Sequence, residues 1–123
     1  MRGIFLALAL LGGASSAAAA MTAEFYEKMM RDPQQKEIAK AYVSGVAGAY
    51  QSINVDIVVH NKGTPLYCPP DGLTLNNQNY IDILESRLSE IVEMKAGKPF
   101  MKGYIALIEP ELLRGLQKMF PCK

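Results

Sequence analysis

The chain has no tryptophan, one histidine and two cysteines among 123 residues, and aromatic residues make up only 8% of it. A single imidazole with no C-x-x-C leaves a zinc site short of ligands. The same shortage removes the closely spaced thiol pair that redox catalysis uses. Any Ser-His-acid triad would depend on His60, and no G-x-S-x-G turn accompanies it. A lone histidine near a helix end reads as a surface or capping residue. The chain has no phosphate-cradling glycine loop, because Gly45 and Gly48 fall inside a helical pattern. Most carboxylates stand at helix-surface positions beside cations, as in Glu24 with Lys28 and Glu27 with Arg31. These absences predict no catalytic site, no cofactor and no metal. Excess charge is missing too: 13 basic residues face 12 acidic ones. Neutrality argues against nucleic acid, which rewards clustered Lys and Arg, and against a polybasic membrane binder.

What is present begins with an export pattern. Arg2 precedes the apolar run Ile4 to Leu11, and Gly12 to Ser16 leads into four alanines. A charged start, a short apolar core and small residues placed as in an A-x-A cleavage site mark a removable signal. The run falls short of the ~20 residues that a membrane span needs. The reading is a signal peptide over 1–20 and a periplasmic mature domain over 21–123, with no span left after processing. Loss of Arg2 brings the basic count down to the 12 acidic residues.

Both cysteines, Cys68 and Cys122, lie in the mature part. In an oxidising compartment two such cysteines are expected to pair. A disulfide closing so long a loop contributes up to about 4 kcal/mol. It would also secure a chain end that otherwise frays.

The mature chain reads as one all-α domain, a small helical bundle of about four to five helices with one disulfide. Thr22 caps a first helix with Phe25, Tyr26, Met29 and Met30 as apolar positions. Asp32-Pro33 is expected to cap and start the second. There Ala39, Val43, Val46, Tyr50, Ile53 and Ile57 keep the helical period. Although Val55 to Val59 is β-branched, the unbroken spacing favours helix to about His60, stopped by Gly63 and Pro65. A second stripe of small residues, Ala41, Gly45, Gly48 and Ser52, falls on the opposite side. The two faces predict a central helix packed on both sides, with the small stripe also a candidate self-association surface. Thr74 or Asn76 caps a third helix carrying Tyr80, Ile81, Leu84, Leu88 and Ile91, closed by Gly97-Lys98-Pro99. The last helical pattern runs through Tyr104, Ile108, Leu112, Leu116 and Met119, and Pro110 is expected to break or kink it.

Leu66-Tyr67-Cys68-Pro69-Pro70, then Leu73-Thr74, and the closing Leu116-Gln117-Lys118-Met119-Phe120-Pro121-Cys122 resemble the Rap/Tai-type immunity family. Residues 41–49 are similar to that family's glycine-bearing helix, so the resemblance covers about residues 33–123. It departs in Tyr50 to Pro65 and at Pro110. The resemblance implies a small exported helical protein without catalytic residues. Such a protein would be dimeric and would occlude the substrate groove of a peptidoglycan amidase effector delivered by type VI secretion. The toxin-contacting residues lie outside the matched motif, so none is carried over.

An occluding inhibitor needs a protruding segment that is cheap to order. Lys95, Gly97, Lys98, Pro99 and Phe100 are the preferred contact, with Phe100 as anchor. Tyr67 to Leu73, stiffened by Pro69 and Pro70, is the second choice. The main alternative is a periplasmic stress chaperone or another envelope-associated binding protein. Met29, Met30 and the other mature methionines would then serve an adaptable surface.

Overall fold

The computed structural model describes residues 20–123. The expected signal peptide, apart from Ala20, lies outside the described residues. Four α-helices and one short 3-10 turn make up the regular structure. The only strand-like pairing among the described residues is an isolated bridge between Thr22 and Leu107. The chain is all-α, and Cys68 is bonded to Cys122.

Helix α1 (Ala23–Arg31) starts at Thr22, whose hydroxyl accepts the Phe25 N–H at 3.2 Å. It buries Tyr26 and Met29 and leaves Phe25 about half exposed. Helix α2 (Lys36–Val59) begins later than the Asp32-Pro33 pair predicts. The Asp32 carboxylate accepts the Gln34 N–H at 2.8 Å, while its carbonyl accepts those of Gln35 and Lys36. Asp32 thus makes the side-chain bond of a cap, but residues 33–35 form a turn and the helix proper starts at Lys36. At the other end Asn61, at φ 49°, adopts the left-handed conformation, and the Lys62 N–H reaches back to the Ile57 carbonyl. Asn61, not Gly63, therefore supplies the stop, the role Asn fills where Gly is absent. Val55 to Val59 is helix, as the unbroken spacing predicts.

Helix α2 does not pack on both sides. It buries Ala39, Val43 and Ala47, while Ala41, Gly45, Gly48 and Ser52 face outward. A Cβ added at Gly45 or Gly48 would meet nothing within 4 Å. Its last turns overhang the core, leaving Ile53, Val55, Val58 and Val59 exposed. Residue spacing shows that a face is small or apolar, but not whether a neighbour reaches it.

Helix α3 (Asn77–Gly97) has a reciprocal cap. Asn76 accepts the Asn79 N–H, and the Asn79 side chain accepts that of Asn76, each at 2.9 Å. Its predicted stripe is buried in full, with Ile83 added. Pro99–Met101 forms the 3-10 turn. Helix α4 (Ile108–Met119) carries Pro110 in its first turn, where a missing N–H costs nothing. Pro110 thus stands at the start of the helix and neither breaks nor kinks it. Tyr104 precedes the helix in chain without regular structure, and Met119 is exposed.

Ile108, Leu112 and Leu116 are fully buried. Helix α4 presses against α3 at Gly115, where an added Cβ would lie 2.8 Å from Ile83 Cγ2 and 3.3 Å from its carbonyl oxygen. The segment after α2 is tied down from three sides. The Asn54 side chain donates to the Tyr67 carbonyl at 2.8 Å and accepts the Leu66 N–H at 2.7 Å. Cys68 N–H reaches the Phe120 carbonyl at 2.8 Å, beside the disulfide.

Gly115→Ala is expected to lower stability by about 1–2 kcal/mol, overpacking outweighing the helix-propensity gain. Gly45→Ala, on an open helical face, is expected to raise it by about 0.5–1 kcal/mol. Urea unfolding of the two variants beside the parent checks both signs. In the same assay, replacing Cys68 and Cys122 with Ser is expected to cost about 2–5 kcal/mol.

Candidate functional site

Three places gather polar or unpartnered side chains. The first is the carboxylate of Glu111, fully buried in the first turns of α4. Arg87 Nε of α3 donates to it at 2.8 Å, and the Tyr104 hydroxyl and Arg114 donate to its other oxygen. Arg87 also donates to Glu90 at 3.0 Å, and Glu90 accepts from Lys118 of α4. Burial pushes the Glu111 carboxyl up, but hydrogen bonds from Tyr104 and Arg87 and the charges of Arg114 and Arg87 hold it below the usual range. Glu90 is held low by its bonds to Lys118 and Arg87. Glu111 has no exposed surface, so its carboxylate is met by protein donors, while Arg114 and Lys118 at the edge of the cluster stay exposed. The cluster fixes the loop ahead of α4 through Tyr104.

That loop is the second place. Lys98 N–H bonds to the Met94 carbonyl, Met101 N–H to that of Lys98, and Tyr104 N–H to that of Met101, at 2.9–3.0 Å. Successive turn bonds and the Tyr104 anchor hold Lys95, Gly97, Lys98, Pro99 and Phe100 around the end of α3. Phe100 projects from this frame at 80% exposure, the highest of any large apolar residue described. Lys98 and Lys102 are exposed beside it, and Lys95 is half-buried. Behind the loop, a hollow of about 340 Å³ is lined by Lys95, Val92, Ile105 and Glu24, with Val92 and Ile105 largely exposed. Val92 and Ile105 carry no sequence signal that marks them as part of this surface. Val92 lies off the α3 stripe, and Ile105 lies in what was read as helix.

The third place is a groove of about 580 Å³ between the overhanging end of α2 and residues 65–75. Val55, Val58, Val59 and Leu73 line it, with Tyr67 buried at its base. The second-choice segment, Tyr67 to Leu73, thus forms one groove wall. His60 lies outside this lining, exposed at the α2 C-cap, where its Nδ1 is 2.9 Å from Asp56.

Among the described residues no group of three or more His, Cys, Asp and Glu is placed to hold a metal ion. No helix among them is long and apolar enough to cross a membrane. The class defined by fold and surface is a small all-α domain, closed by a disulfide, with two apolar surface features. No family model, curated protein or solved structure matches the chain.

The Glu111 cluster makes stability pH-dependent with a defined sign. A carboxyl whose folded pKa lies below its unfolded value of about 4.3 contributes stability fully above that value. The contribution disappears as pH falls through the lower, folded pKa. The parent is therefore expected to lose stability in acid below about pH 4, and Glu111→Gln to lose less over the same range. At pH 7, Arg87→Met leaves Glu111 short of a partner and is expected to cost on the order of 3 kcal/mol. Adding Glu111→Gln to Arg87→Met should recover part of that loss. Urea unfolding between pH 2 and 7 measures each difference.

Proposed function

We propose that this protein is an exported, non-catalytic immunity protein that binds a peptidoglycan amidase effector of type VI secretion and occludes its substrate groove in the periplasm. The observation that carries the reading is Phe100, an aromatic side chain left in solvent on a loop that Tyr104 and three turn bonds hold rigid. A preorganised aromatic anchor loses little freedom on binding and fills a pocket well. Lys98 and Lys102 beside it suit an acidic rim. The residues resembling the Rap/Tai-type family supply the choice of partner, and the export pattern of residues 1–20 the compartment. Homodimerisation through Ala41, Gly45, Gly48 and Ser52 belongs to the same reading, supported by the exposure of that stripe.

The chaperone reading is favoured by a different observation, the exposed valines at the end of α2. An adaptable client surface needs apolar area without a rigid anchor, which is what Val55, Val58 and Val59 offer.

One experiment separates the two readings. A type VI amidase effector is produced in the periplasm with and without this protein, and Phe100→Asp is compared with a groove variant, Val58→Asp. Immunity predicts rescue from lysis and a complex on size-exclusion chromatography. Phe100→Asp should weaken that complex at least ~30-fold, the effect of a hot spot worth about 2 kcal/mol. Stability should change by no more than about 0.5 kcal/mol, as for other exposed positions. Lysis in both cases with no complex overturns the assignment. Suppressed aggregation of acid-denatured clients, lost with Val58→Asp, then supports the chaperone.

A further inference from the structure

We propose that Glu109 is the receptor for the α-ammonium group that signal removal creates at Met21, so that processing completes the fold. This inference rests on the export reading and not on the identity of any partner.

Residues 21–23 lie along the entry to α4. Ala23 N–H bonds to the Ala106 carbonyl and Ile108 N–H to that of Met21, each at 2.9 Å. This places the Met21 nitrogen 3.4 Å from Glu109 Oε1, which also accepts from the Tyr42 hydroxyl of α2. The Glu109 main chain is fixed in turn by Tyr50, whose hydroxyl donates to its carbonyl at 2.7 Å. The second carboxylate oxygen, Oε2, is buried and has no hydrogen-bond partner among the described residues. A buried carboxylate oxygen without a donor is costly and calls for an explanation.

The chemistry at Met21 supplies one. While the Ala20–Met21 peptide bond is intact, Met21 offers one neutral N–H. Hydrolysis consumes one water, leaving a carboxylate on Ala20 and an ammonium on Met21. An α-amine has an unperturbed pKa of about 8 and is charged at neutral pH. The new end then carries three donors and a full positive charge, enough to reach both oxygens of the carboxylate. Ala20, on the other side of the bond to be cut, is exposed. The precursor lacks this pair, and the junction of residues 21–23 with α4 tightens only once the signal is gone.

The test begins with the intact mass of the protein purified from the periplasm, which gives its first residue. The unfolding constant at pH 7 is then measured for chains beginning at Met21 or retaining Ala20, each with Glu109 or Glu109→Gln. Retaining Ala20 is expected to raise the constant about tenfold in the Glu109 background, equivalent to one pKa unit of interaction. With Glu109→Gln the change should fall below about twofold. If Glu109→Gln does not fold, the acylation rate of the Met21 amine at pH 7 decides. A rate below that of a free Met-initiated peptide supports the pair, and an equal rate overturns it. A first residue other than Met21 overturns the cleavage position and the pair together. A Met21 start whose effect is equal in both backgrounds overturns the pair alone and leaves the export reading standing.

Discussion

A carboxylate with no exposed surface has to be met by donors, and Glu111 draws them from three separate pieces of chain. Arg87 comes from α3, Tyr104 from the loop between α3 and α4, and Arg114 from the next turn of α4 itself. Exchanging such a group for an apolar residue of the same shape costs little, whereas removing one partner costs a great deal. Its structural consequence is that α3, α4 and the loop fit in one register. Gly115 allows the same close approach one turn further along, and the disulfide at Cys122 closes the end of α4 onto the segment after α2. Helix α4 is short, but its N-terminal, middle and C-terminal contacts each fasten a different part of the chain.

The surface follows from that arrangement. Because Tyr104 is drawn inward to Glu111, the loop before it is held taut, and Phe100 stays outside while its backbone is bonded turn by turn. The free end of α2 has the opposite origin. At about 36 Å the helix is longer than the bundle it packs on, since 24 residues at 1.5 Å each outrun the partners available. Its last valines therefore have no helix to cover them. One feature is apolar and rigid, and the other apolar through lack of a neighbour. That difference is the reason to place a specific partner at the first.

Much of this was legible in the sequence, for physical reasons that differ from one element to the next. The α3 stripe and its Asn76 cap were readable because both are local patterns in consecutive residues. The disulfide was expected from the cysteine number and the export pattern of residues 1–20. The exposure of Phe100 followed from Gly97-Lys98-Pro99, which ends a helix and turns the chain outward. The start of α2 was not readable, because Asp32 satisfies a tight turn as well as a helix and its neighbours decide between them. Pro110 was placed inside a helix because Tyr104 and Ile108 keep helical spacing, although Tyr104 is spent on Glu111. The small face of α2 looked like a packing face, yet no spacing rule reports whether a second helix arrives. Glu111 carries no sequence signal of its own, since its partners Arg87 and Tyr104 come from separate segments.

Helix α4 and its buried carboxylate form the rigid base of the fold, while the end of α2 lies outside it. Native-state hydrogen exchange of the purified protein, read residue by residue, tests this most directly. Amides of Leu112 to Leu116 and of Leu84 to Leu88 should exchange only with global unfolding. Those from Val55 to Val59 should exchange by local opening, at least about a hundredfold faster. Equal protection at the end of α2 and in the middle of α4 would contradict the account.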